Sequence, residues 1–119
     1  MLDIINIFFA LASIGLGGIG WLAPRYTMGV LDLATDGSTM GVSEIRAASG
    51  ALFIGMGLGA IILGTPTAYA MVGFAWGGAA IGRVTSLALD DAPTRRTWGF
   101  AVAEIVVAAV LLIINLPML

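Results

Sequence analysis

The chain contains no histidine, no cysteine and no lysine. Haem and iron–sulfur ligation, His or Cys zinc sites, thiol nucleophiles, imidazole acid–base chemistry and lysine Schiff bases therefore all lose their usual residue. Only backbone, Met or carboxylate groups remain as metal or tetrapyrrole ligands, so the expectation is no metal and no cofactor. Without cysteine no disulfide can form, and the redox compartment leaves no trace. Charge is scarce too: Asp, Glu, Lys and Arg make up 10% of the 119 residues, against about a quarter in an ordinary globular domain. The net charge of -2 is small and dispersed. No basic run offers a surface for nucleic acid, polybasic lipid binding or calmodulin.

Apolar residues fill that space. They make up 60% of the chain, and the mean hydropathy is +1.06. Four stretches, residues 4–22, 43–63, 69–89 and 98–116, are each long and apolar enough to cross a bilayer, because about twenty residues at about 1.5 Å each span the roughly 30 Å hydrocarbon layer. The sequence thus predicts an all-α, polytopic membrane protein, a four-helix transmembrane bundle forming one domain over residues 1–119. The opening Met1-Leu2-Asp3 has no basic residue and the apolar run behind it is too long for a signal peptide, so the first stretch reads as a true span. Trp21, Pro24 and Tyr26 suit its interfacial exit.

The connections differ in length. Residues 25–42 form the longest, with a short surface helix or looped return predicted from the apolar run Met28 to Leu33 and the turn residues Asp32, Asp36-Gly37 and Ser38-Thr39. Gly64-Thr65-Pro66-Thr67 and Asp90-Asp91-Ala92-Pro93-Thr94 predict tight turns. Ser43 is the predicted cap of the second helix, with Glu44 in its first turn. Arg25 lies in the first connection and Arg95 and Arg96 in the third, so the positive-inside rule places both there in the cytoplasm and both termini outside.

Two patterns stand out within the spans. Gly55 and Gly59, Gly73 and Gly77, and Gly78 and Gly82 are spaced four apart, and Gly15, Gly17, Gly18 and Gly20 crowd the first span. Small residues at that spacing let helix backbones approach closely, either within one bundle or against a partner helix. The second pattern is charge. Glu44 and Arg46 open the second span, Arg83 lies six residues before Leu89, and Glu104 lies six residues after Trp98. If successive spans run antiparallel, Arg83 and Glu104 share a depth about 9 Å from one side. An unpaired charge costs about 2.5–3.5 kcal/mol at a span's centre, so pairing is predicted, with Ser86 and Asp90 extending the Arg83 face outward. The cluster Glu44, Arg46, Arg83, Ser86 and Glu104 reads either as a structural ion-pair knot or as a proton, ion or headgroup site.

Several motifs carry a resemblance. Ser43-Glu44-Ile45-Arg46-Ala47 with Gly50 and Gly55-Met56-Gly57-Leu58-Gly59, then Gly82-Arg83-Val84-Thr85-Ser86 with Asp90-Asp91, then Ala103-Glu104-Ile105, resemble the small bacterial four-helix membrane proteins grouped as domain of unknown function 4345. The resemblance covers most of the chain and rests on Glu44, Arg46, Ala47, Gly82, Arg83 and Glu104. The family pattern has an aromatic residue and a second glycine where this chain has Ser49 and Ala51. The resemblance implies fold and a bacterial inner-membrane location, and no activity.

Three functions from different classes remain open. The first is a non-catalytic accessory or scaffold subunit, whose partners are the bilayer and other membrane subunits, for instance of a photosynthetic or respiratory complex. The second is a small proton-coupled transporter or exporter using Glu104, the first span having nothing ionisable after Asp3. The third is an enzyme or a lipid- or quinone-binding protein. No nucleophile or general base stands out for catalysis, and Ser86 beside Arg83 reads as a hydrogen-bonding neighbour.

Overall fold

The structure, a computed structural model, describes residues 2–119. Its elements are helical throughout: α1 (Leu2–Leu22), α2 (Pro24–Val30), α3 (Met40–Arg46), a π-helical turn (Ala47–Ala51), α4 (Leu52–Leu63), α5 (Pro66–Leu89), α6 (Arg95–Asn115) and a closing 3-10 turn (Leu116–Met118). The π turn joins α3 to α4, and the result is four helices long and apolar enough to cross a membrane: Asp3–Leu22, Met40–Leu63, Pro66–Leu89 and Arg95–Met118. In lipid no water is at hand to satisfy backbone N–H and C=O groups, so apolar runs of this length close their hydrogen bonds within one helix.

The helices start earlier than hydropathy alone marks them, because a polar first turn reads as loop. The second span begins at Met40, so Ser43 lies inside the helix and is not its cap. The N-cap position is Thr39, which makes no side-chain cap bond, and one residue before it the Ser38 Oγ accepts from the Met40 N–H at 3.2 Å. In α5 the Thr65 hydroxyl accepts from the Ala68 N–H and Pro66 occupies the first turn, where its missing N–H costs nothing. Gly64 turns the chain just before it at φ +63°, a left-handed conformation that glycine adopts without strain. At α6, Thr94 and Thr97 form a reciprocal capping box.

The chain folds as two compact units. Residues Ile7–Ile62 form one; Leu63–Leu119, with the start of the chain through Asn6, form the other.

In the first unit α1 lies against the π turn and α4 at near backbone contact. A Cβ placed on Gly17 would stand 2.5 Å from the Gly50 carbonyl oxygen, and one on Gly50 would stand 2.7 Å from the Trp21 nitrogen. One on Gly57 would stand 2.5 Å from the Ala10 carbonyl oxygen. Glycine is required at these crossings because the facing atoms are backbone and cannot turn aside. Beside them Met28, Val42 and Ile45, with Leu31 packed on, hold α2 to α3.

In the second unit α5 and α6 are antiparallel: Gly73 faces Leu111 and Leu112, and Gly77 faces Ala108. Leu111, 0% exposed, is the centre of the seam. The four-residue glycine spacing is therefore only partly about packing within the chain. Gly55, Gly59, Gly78 and Gly82 have no other part of the described chain within 4 Å of a placed Cβ. Their spacing marks a smooth face, and periodicity cannot say what that face meets.

Candidate functional site

Two polar layers interrupt the apolar seam of the α5–α6 unit. The first is an ion pair about 9 Å from the end of α5, counted from Arg83 to Leu89. Arg83 Nε donates to Glu104 Oε1 at 3.0 Å and its Nη2 donates to Oε2 at 3.2 Å, so guanidinium and carboxylate meet fork to fork. Glu104 is buried, 7% exposed, while the Arg83 side chain remains 32% exposed. The Phe100 ring, one turn before Glu104, lies 5.3 Å from the guanidinium carbon and covers a face of the cation. A bidentate pair with an aromatic lid neutralises both charges where neither could be left alone.

The other residues of the sequence cluster are placed differently. Ser86 donates from its Oγ to Asp90 Oδ2 at 2.7 Å, tying the last turn of α5 to its C-cap. Glu44 and Arg46 belong to the other unit, both exposed. Arg46 donates to the Trp21 carbonyl at 2.6 Å, satisfying one of the acceptors left over at the C-terminal end of α1.

The second polar layer escaped the sequence reading. Asn6 Nδ2 donates to Asn115 Oδ1 at 2.9 Å, Asn115 Nδ2 donates back to Asn6 Oδ1 at 2.7 Å, and Asn115 Nδ2 also reaches the Leu111 carbonyl at 2.8 Å. Both amides are buried, at 4% and 1% exposure. Their signal was compositional: these are the only two asparagines in the chain, each within an apolar run. Charge drew attention elsewhere, although an amide also needs a partner in hydrocarbon. Beside the pair lies a recess of about 40 Å³ whose lining includes Asp3, Asn6, Thr65, Tyr69 and Asn115.

Chemically, the first layer holds two opposite charges with their hydrogen bonds made, and the second links the second turn of α1 to the end of α6. Between them on the inner face of α6 stand Ala108 and Leu111, both buried and apolar. Among the described residues no group of three or more acids, histidines or cysteines could hold a metal ion.

No curated protein and no solved structure matches the chain. The sequence pattern of the family described as Domain of unknown function (DUF4345) matches residues 1–115, and the chain, with its four membrane-length helices, belongs to that family.

Proposed function

We propose that this protein acts by contact and without catalysis, as a small accessory subunit that packs its helices against a larger complex of the bacterial cytoplasmic membrane. One observation carries the reading: Gly55 and Gly59 on α4, and Gly78 and Gly82 on α5, form two four-residue-spaced smooth faces that the chain's own packing leaves unused. Glycine in a helix interior is costly relative to alanine, and close backbone approach is the return that membrane helices draw from it. Exposed Phe8, Phe74, Ile81, Val102 and Val106 add apolar surface suited to acyl chains or neighbouring helices. The lack of His, Cys and Lys is consistent with a subunit that turns nothing over.

The transporter alternative needs Glu104 to load and release a proton. Its carboxylate is held by two guanidinium N–H groups, and the Leu111 layer separates it from the asparagine layer on the same helix face. Both features favour a structural pair. The arginine distribution supports cytoplasmic connections at Arg25 and at Arg95-Arg96, with both termini outside.

The test is extraction of the untagged protein from native membranes in mild detergent, followed by sizing. The wild-type chain runs with a larger assembly; Gly55→Ile and Gly78→Ile leave the isolated chain folded and release it from that assembly. A chain that migrates alone from native membranes overturns the reading. So does substrate-dependent proton flux in liposomes that Glu104→Gln abolishes, which would install the transporter in its place.

A further inference from the structure

We propose that the π turn at Ala47–Ala51 is a register device: it takes up one residue more than an α-helix would, and so aims both halves of the second span, α3 and α4, at their neighbours together. Everything it aligns lies within the unit Ile7–Ile62.

The two halves carry contact faces that a continuous α-helix would not align. In α3 the face is Val42 and Ile45, three residues apart and packed with Met28 of α2. Beyond it the face is Gly50 and Gly57, seven residues apart, where a Cβ would meet the backbone of α1. At about 100° per residue each pair shares a face. From Ile45 to Gly50 is five residues, which in an α-helix overshoots a full turn by about 140°. The Leu52 N–H reaches back five residues to the Ala47 carbonyl, closing a wider turn that absorbs the surplus residue. Ile45 to Gly50 then counts as four α-helical steps, and the offset falls to about 40°.

Burial shows the step. Helical spacing continued from Ile45 at i+4, i+7, i+11 and i+14 points Ser49, Leu52, Met56 and Gly59 at α1. Instead Leu52 is 60% exposed, and a Cβ on Gly59 meets nothing within 4 Å. Spacing continued backward from Gly50 at i−4 and i−7 points Arg46 and Ser43 inward, yet both are exposed, and Arg46 bonds to the Trp21 carbonyl at the end of α1. Either continuation exchanges apolar or glycine contacts for bulky or polar ones, so the sequence holds the π turn in place. The same step decides which face of α4 is left over. It turns Gly57 to α1 and leaves Gly55 and Gly59 clear of it, so whatever meets that smooth face meets a direction set at Ala47–Ala51. The alignment holds with or without a partner there.

The experiment changes the full chain by single residues and follows unfolding by reversible SDS titration in mixed micelles, read by tryptophan fluorescence. Deleting Ala48 leaves a continuous α-helix with both faces in line, and the midpoint stays at or above that of wild type. Deleting Leu58, an exposed residue of α4 beyond the π turn, rotates the buried Ala60 off the seam and lowers the midpoint. Inserting one alanine after Ala48 leaves two surplus residues and lowers it too. Glycine substitutions read the register directly: with Ala48 deleted, Gly57→Ala still lowers the midpoint and Gly59→Ala still does not. An Ala48 deletion as damaging as the Leu58 deletion overturns the proposal, and so does one that prevents folding. An insertion that leaves the midpoint unchanged overturns it too. A swap of the two glycine responses does the same, because it places Gly59 at α1.

Discussion

Three glycines of one helix should respond to the same substitution in opposite directions. Gly55, Gly57 and Gly59 all lie in α4 (Leu52–Leu63), within five residues of one another. Replacing each with alanine adds one methyl group and removes the same helix-propensity penalty, about 0.8–1.0 kcal/mol. What differs is the space. At Gly55 and Gly59 the new methyl meets nothing within 4 Å, whereas at Gly57 it lands 2.5 Å from the Ala10 carbonyl oxygen and 2.9 Å from Ile14 Cγ1. Cβ atoms essentially never approach below 3.0 Å, so α1 and α4 must separate by at least about 0.5 Å, a gap that forfeits a quarter or more of each dispersion contact along the crossing. Overpacking of this kind costs about 1–3 kcal/mol.

The propensity gain is common to all three, so the difference between variants isolates the packing cost. Gly57→Ala should fall about 1–3 kcal/mol below Gly55→Ala and Gly59→Ala, and the latter two should match or exceed wild type. Reversible SDS titration in mixed micelles, read by tryptophan fluorescence, measures all four proteins on one scale. Equal shifts for the three variants, or a larger loss at Gly55, would refute the reasoning and restore the four-residue-spaced glycines as the internal seam.

The ion pair should behave as a unit: Arg83→Met alone strands the buried Glu104 carboxylate and costs about 3 kcal/mol, while adding Glu104→Met recovers most of the loss, and failure to recover in the same titration would show that the pair does more than neutralise itself. At the other layer, Asn6→Ala and Asn115→Ala should each cost about 1–2 kcal/mol by leaving the partner amide short of a bond, and the double variant should cost less than their sum; strict additivity would mean the two side chains do not bond. Orientation is open to thiol labelling in intact cells, where a cysteine at Ser38 should resist an impermeant reagent and one at Thr67 should react. The reverse pattern would show that neighbouring subunits or acids override the arginine bias.

Much of the architecture was written in the composition. A backbone in hydrocarbon must satisfy its own hydrogen bonds, so four apolar runs of membrane length leave helices as the only compact answer for a chain this short. The breaks were equally legible, since Gly64-Thr65-Pro66 and the Asp90–Thr94 segment place turn and cap residues where two helices have to stop and restart. Counting residues from those breaks also put Arg83 and Glu104 at one depth. Their bidentate pairing is an outcome of that counting and of the cost of a lone charge in lipid.

Tertiary structure alone decided which faces meet. In water a buried face is apolar and an exposed one polar, so sequence announces the core; in a membrane lipid tails are as apolar as leucine, and hydrophobicity no longer separates inside from outside. That is why all three four-apart glycine pairs looked alike although only Gly73 and Gly77 face a neighbouring helix, while Gly17, Gly20, Gly50 and Gly57 carry the closest approach, and why Glu44 looked equivalent to Glu104 although only Glu104 is brought to Arg83. The asparagine pair is the extreme case. Its members stand 109 residues apart, and only the packed helices bring Asn6 and Asn115 to hydrogen-bonding distance.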